Sequence, residues 1–351
     1  MKKLKWIIVP VLTLSMLASC SEKTSETTAS ESASDTTTEA TETAETTTEV
    51  TEETTTETTV KETTAPTEST APTYTNIKES YGEAPSDAVI PEGYHFVWSD
   101  EFDGEELSKD NWLVETHPKG FVNNELQKYV NTPENIYLEN GDLVIQPLKE
   151  EDDKGKVTYT SGRINSYMKA SFKYGYFEAR IKVPEGQGFL PAFWMMPSTN
   201  AYGGWPLSGE IDIMEVVGGM ENTTFGTLHY GLPHEYSQGS YTLSSGKFSS
   251  DYHIYGCEYL PDKIAFYIDG EKFYETSDWY CTTKLGVEKE FPAPFDNAFY
   301  FTLNVAVGGD WPGDPDDSTV FDERAQMRVD YVRVYQLDSL ESYESAETED
   351  Q

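Results

Sequence analysis

Apolar and polar residues alternate in short runs through most of this chain, and turn residues separate the runs. His95-Phe96-Val97-Trp98, Asn135-Ile136-Tyr137-Leu138, Asp142-Leu143-Val144-Ile145, residues 174–183, 263–268, 298–307 and 327–335 all carry this pattern. Successive side chains of a strand face opposite sides, so each run predicts a strand with one apolar face. Asn140-Gly141-Asp142 and Asp269-Gly270 supply the residues that two-residue hairpin turns need. Long helical periodicity is absent. Many short strands over residues 91–337 predict an all-β fold, a sandwich or barrel of antiparallel strands, in which one curved sheet offers a concave face.

One run breaks the alternation in an informative way. In Gly209-Glu210-Ile211-Asp212-Ile213-Met214-Glu215-Val216-Val217, Glu210 and Asp212 share a face and Ile211 and Ile213 share the other. Plain alternation then sets Met214, not Glu215, beside the two acids. A β-bulge at Ile213-Met214 restores the phase and turns Glu215 to the acidic face. Three carboxylates on one face repel one another, and no Lys or Arg occurs between Lys182 and Lys247. A solvated sheet surface would intersperse bases or Thr. The run therefore points to general acid/base chemistry, such as cleavage of a glycosidic bond.

Charge and targeting signals narrow the partners. The 351 residues carry a formal net charge of −37, and residues 92–337 alone carry roughly −21. Nucleic acid and strongly anionic polysaccharides are disfavoured, and a neutral substrate fits best. Lys2, Lys3 and Lys5 precede an apolar run from Trp6 to Leu17, which is the layout of a signal peptide and too short to span a membrane. The run ends in Leu17-Ala18-Ser19-Cys20, which resembles the bacterial lipobox, so residues 1–20 are expected to be a lipoprotein signal with Cys20 lipidated. Residues 21–90 are expected to form a linker. Their Thr/Glu/Ser-rich part cannot bury enough apolar surface to fold, so it reads as a disordered tether. Residues 338–351 read as an acidic tail. Cys257 and Cys281 are no disulfide framework; Cys257 reads as a buried thiol, with a single 257–281 bridge as the other option.

The chain resembles glycoside hydrolase family 16, specifically its laminarinase-like branch. The blocks that carry the resemblance are Glu210-Ile211-Asp212-Ile213-Met214-Glu215, Trp98 to Gly104, Asn123-Asn124-Glu125-Leu126-Gln127, Gly162-Arg163-Ile164, Tyr174 to Arg180, Pro191 to Met195 and Val305 to Gly309. The resemblance implies a β-jelly-roll sandwich of two antiparallel sheets with a concave cleft. It implies a retaining endo-glycosidase acting on β-1,3-glucan, with Glu210 as nucleophile, Glu215 as acid/base and Asp212 tuning the pair. Retaining pairs hold their carboxyls about 5–5.5 Å apart. The two Glu backbones lie roughly 13 Å apart along a strand, so curvature and side-chain lean must close the gap.

Sugar rings present apolar faces, which aromatic platforms can meet. Trp194 and Trp205 are the main candidates, although Trp194 sits in an apolar run that also suits a core. His229 either contacts the reactive sugar or serves the structure. Asn124, Asn304 and Trp311 are further substrate positions implied by the resemblance. Phe189-Leu190 stands where the family often has Trp, which leaves the preferred linkage open. The resemblance also implies a structural calcium at Glu101, the Gly141 carbonyl and Asp330, and no cofactor for catalysis. A monomer is expected. Mixed-linkage β-1,3-1,4-glucanase activity, transglycosylation and a non-catalytic glucan-binding module are the alternatives. If Cys20 carries the lipid, Cys20→Ser is expected to move the protein from the membrane fraction to the medium, as read by fractionation and immunoblotting.

Overall fold

The computed structural model describes residues 82–339. Cys20, the Thr/Glu-rich segment and the tail beyond Ser339 lie outside the described residues. Two antiparallel sheets of eight strands each enclose one core. The concave sheet runs in the order Glu235–Thr242, Thr223–Tyr230, Glu210–Val216, Phe189–Pro197, Phe299–Val307, Arg163–Asn165 and Leu113–Val114, with Ser171–Phe172 also paired to Phe299–Val307. The convex sheet runs Glu271–Thr276, Ile264–Ile268, His253–Tyr259, Gly175–Lys182, Met327–Leu337, Asp142–Ile145 and Ile136–Glu139, with Tyr94–Asp100 also on Met327–Leu337. This is the expected β-jelly-roll architecture. Among the described residues the only helical turn is the 3-10 segment Glu323–Ala325.

The hairpin signals act as their chemistry requires. Asn140 and Gly141 take φ of 56° and 84°, and Asp269 and Gly270 take 50° and 80°, the doubly left-handed pairs that match the twist of the flanking strands. The middle of the core is aromatic. Phe301, fully buried, is ringed by Trp98, Phe172, Phe177 and Phe193 at centroid distances of 5.6–6.1 Å. Burying such a side chain contributes roughly 1.5–3 kcal/mol, more with good ring packing. Cys257 and Cys281 are both buried free thiols, so the bridge option falls away. Before the first strand, Asp87 accepts a hydrogen bond from Arg333 on the convex sheet at 2.9 Å, so the chain is already tied to the domain there.

The bulge lies where the sequence puts it. Asp212 pairs with Thr227 and Glu215 with Phe225, so Ile213 and Met214 together oppose the single residue Gly226. Both extra side chains are buried in the core. Gly226 compensates by bringing no side chain of its own: a Cβ there would sit 2.6 Å from Cδ1 and Cγ of Phe266, which belongs to the opposite sheet. Two apolar groups on one strand and none on its neighbour keep the volume between the sheets constant. Gly226→Ala is expected to cost about 1–3 kcal/mol of stability through overpacking, measured as a lower urea midpoint with an unchanged slope.

Candidate active site

The pairing register writes two parallel rows across the concave sheet. One row is Arg163, Asn304, Ala192, Glu215, Phe225 and Ser240; the next is Asn165, Thr302, Trp194, Asp212, Thr227 and Gln238. Glu210 follows in a third row, opposite His229 and Tyr236. The bulge thus turns Glu210, Asp212 and Glu215 to the same side, and all three line one cavity of about 450 Å3. Gly209, with a φ of 84°, directs the chain into this strand; a Cβ there would sit 2.9 Å from the Phe295 ring.

Two loops wall the cavity. The loop before Gly209 folds on itself through Ser208, whose hydroxyl donates to the Gly203 carbonyl at 2.7 Å and accepts from the Tyr202 amide at 3.1 Å. It presents Trp205, which is half exposed and donates its indole N–H to Glu210 Oε2. On the other wall, Trp311 packs on Phe225 at 5.2 Å, and the Asp310 amide donates to the Asn123 carbonyl at 2.9 Å. His229 sits beside the acids, its Nε2 3.3 Å from Asp212 Oδ2. Its Nδ1 lies 3.0 Å from His234 Nε2.

Burial and crowding set the protonation of the acids. Removal from water raises both Glu210 and Glu215, and the Asp212 carboxylate raises them further, Glu210 to about 8. The pair titrates as a unit. Its proton belongs on Glu215, because Glu210 has the Trp205 N–H and the nearby His229 to hold its charge, whereas Glu215 receives no hydrogen bond among the described residues. One strand therefore presents an ionised carboxylate and a neutral carboxylic acid to the same space. Burial alone would lower His229, but Asp212, as a hydrogen-bond acceptor and as a charge, and the charge of Glu210 outweigh it and raise the imidazole.

The other expected residues fall into three groups. Trp205, His229 and Trp311 line the cavity. Asn124 does not; its amide donates to Asp310 at 2.9 Å, and its neighbour Asn123 is the residue at the wall. Trp194 faces the same side as Asp212 beneath the guanidinium of Arg163, 4.8 Å above its ring. Asn304 is corrected from a substrate contact to a bracket: it is buried, accepts from Trp194 Nε1 at 2.8 Å and donates to the Tyr129 hydroxyl at 3.1 Å. Sequence reading missed Glu125, His234, Tyr236 and Gln238, all at the cavity wall. It also missed the support under Trp194, where Glu115 pairs with Arg163 at 3.0 Å and accepts from Asn165 at 2.5 Å. Glu125 and Arg163 lay inside motif blocks, and Tyr236 and Gln238 share a period-two phase. His234, in a turn, has no sequence signal.

The residues expected to hold calcium do not fit it. Glu101 accepts two hydrogen bonds from Arg333, at 3.1 and 2.8 Å, and Asp330 pairs with Arg180 at 2.6 Å. A divalent cation needs oxygen ligands free of guanidinium partners. Glu101 and Asp330 instead pin the convex sheet, and Gly141 serves its hairpin turn.

Comparison with known proteins agrees with this geometry. Residues 94–337 match the family described as Beta-porphyranase A-D, GH16 domain. The Glucan endo-1,3-beta-glucosidase A1 of Niallia circulans is 38% identical over 272 residues, 72% of this chain, which spans 39% of that protein's length. The Beta-glucanase of Rhodothermus marinus is 37% identical over 251 residues, 69% of this chain and 85% of that protein. The crystal structure of an endo-beta-1,3-glucanase from Pyrococcus furiosus superposes with a TM-score of 0.60 at 39% identity, covering 72% of this chain and 98% of that one.

Trp205→Phe keeps the aromatic surface and removes the N–H from Glu210. A hydrogen bond to a charged group is worth ~1.5–3 kcal/mol, so kcat is expected to fall about 10- to 100-fold with little change in KM. With its donor gone, Glu210 holds its proton to higher pH, and the acid limb of the pH–rate profile moves upward. Steady-state kinetics across pH checks both.

Proposed function

The chain belongs to glycoside hydrolase family 16, and we propose that it is an endo-acting, retaining hydrolase of β-1,3-glucan. The observation that carries this reading is the shared cavity of Glu210 and Glu215, one charged and one neutral, on a single bulged strand. In the first step Glu210 attacks the anomeric carbon while Glu215 gives its proton to the leaving oxygen. The glycosidic bond breaks and a glycosyl ester of Glu210 forms. In the second step Glu215, now a carboxylate, takes a proton from water, whose oxygen displaces Glu210. Asp212 raises both glutamates, and the Trp205 N–H and His229 hold the charge on Glu210, so the proton stays with Glu215.

The cavity wall supports a neutral glucan as substrate. It carries Glu125 and Asp310 beside the catalytic acids, and no Lys or Arg. A sulfated or uronic chain would meet mostly like charge there, with the imidazoles of His229 and His234 as the exceptions. Trp205, Trp311 and Tyr236 are 54%, 42% and 60% exposed, which leaves ring faces open to sugars. The printed activities of the relatives from Niallia circulans and Pyrococcus furiosus favour β-1,3 linkages.

The same proposal places the protein outside the cytoplasm, on a bacterial cell surface and anchored through Cys20. The basic residues, short apolar run and Leu17-Ala18-Ser19-Cys20 support this, and the Thr/Glu-rich segment that follows suits a tether. The domain needs no second copy to complete its cavity, which supports a monomer.

The test is a panel of laminarin, barley mixed-linkage glucan and a sulfated galactan, with products sized by mass. Laminarin is expected to give internal cuts and retained anomeric configuration; preference for barley glucan would move the reading to the mixed-linkage class, and glucan binding without reducing ends would make it a binding module. Glu210→Gln and Glu215→Gln are each expected to lower kcat by at least ~10²–10⁴ with the fold intact by circular dichroism.

A further inference from the structure

His234 stands outside the catalytic strand and outside the steps above, yet it is locked into the site. Its ring lies 4.8 Å from Trp205 and 5.1 Å from His229. The turn that carries it is fastened from behind. Tyr280 donates its hydroxyl proton to the Pro233 carbonyl at 2.5 Å, and Thr282 Oγ1 accepts from the Leu232 amide and donates to the Leu232 carbonyl, both at 3.2 Å. Gly231, with a φ of 75°, leaves room for the Tyr280 ring, which a Cβ would meet at 2.5 Å.

We propose that His234 is a positioning residue for the glycosidic reaction, acting through His229: its Nε2, 3.0 Å from His229 Nδ1, fixes the tautomer in which His229 Nε2–H faces Asp212. The proposal rests on the hydrolase reading above.

The argument follows the single hydrogen that two facing ring nitrogens share. When His229 is charged, its Nδ1–H donates to the bare Nε2 of His234. When His229 is neutral, His234 Nε2–H donates to Nδ1, so the remaining proton of His229 stays on Nε2. Without His234 the neutral ring is free to carry its proton on Nδ1, which sets a lone pair against the buried Asp212 carboxylate.

His229 is the one group able to carry positive charge at the wall beside the acids, since His234 is lowered by burial and by His229 itself. The titratable groups around the pair are Asp212 and Glu210 on the central strand, Glu235 and Tyr236 on the edge strand, and Tyr280 on the strap. Once His229 loses its charge, Asp212 and Glu210 face each other uncompensated. A proton that leaves the imidazole for this pair sits on Glu210, which must be without it to attack. His234 thereby helps to keep the nucleophile free of a proton.

The experiment compares wild type, His234→Ala and His234→Gln in the full chain, by ¹⁵N NMR titration of His229 and by the pH dependence of kcat and KM on laminarin. In His234→Ala, the His229 titration is expected to fall by about half to one pH unit, the size of one lost hydrogen bond, and kcat is expected to fall with KM little changed. His234→Gln, whose amide can accept from or donate to Nδ1, is expected to restore most of the shift. An unchanged His229 titration in His234→Ala, a rise confined to KM, or no difference between Ala and Gln would overturn the proposal and leave His234 as cleft wall only. If no glucan is turned over by wild type, the hydrolase reading fails on its own, and the NMR titration still decides whether His234 governs His229.

Discussion

One surplus residue in one strand determines where the rest of the site must lie. Ile213 and Met214 oppose Gly226 alone, and that mismatch carries Glu215 to the side of Asp212 and Glu210. The cost of the irregularity is met inside the core, where Gly226 yields its space to Phe266 of the opposite sheet. Backbone phase, core volume and chemistry are thus one constraint. A side chain added at Gly226, or a residue removed from the bulge, disturbs all three.

The electrostatics follow from that geometry. Three carboxylates are drawn from water onto one wall, and the nearby cationic side chain on the sheet, Arg163, is kept for Glu115 and the face of Trp194. Crowding of like charge is therefore relieved by a retained proton and by the raised imidazole of His229. Donor placement then decides which acid keeps it: the indole of Trp205 serves Glu210, and Glu215 is left without a donor among the described residues.

Much of this was legible in the chain because it depends on local pattern. The strands show as period-two alternation, the hairpins as Asn-Gly and Asp-Gly, and the bulge as a slip of phase between Asp212 and Glu215. Trp205 was legible as an aromatic set between Gly203-Gly204 and Pro206. What stayed hidden depends on partners far away in sequence. Asn304 looked like a sugar contact, but its amide is spent on Trp194 and on Tyr129, 110 and 175 residues away. Glu101 and Asp330 looked like calcium ligands until their arginines were in view. The edge strand Glu235–Thr242 turns only Ser237, Gly239 and Tyr241 inward and gives a weak apolar signal, and so Tyr236 and Gln238 at the wall went unread.

The strap at Tyr280 and Thr282 has a consequence for how such an enzyme diversifies. It clamps the 231–234 turn from outside the sheet, through two hydroxyls that hold two backbone carbonyls and one amide, while the bulged strand draws its support from Gly226 and the core. The rim of the groove and its reacting acids are nevertheless joined, because the turn carries His234 and His234 faces His229. Exchange of the turn would reach the chemistry as well as the wall, so the two can change only together.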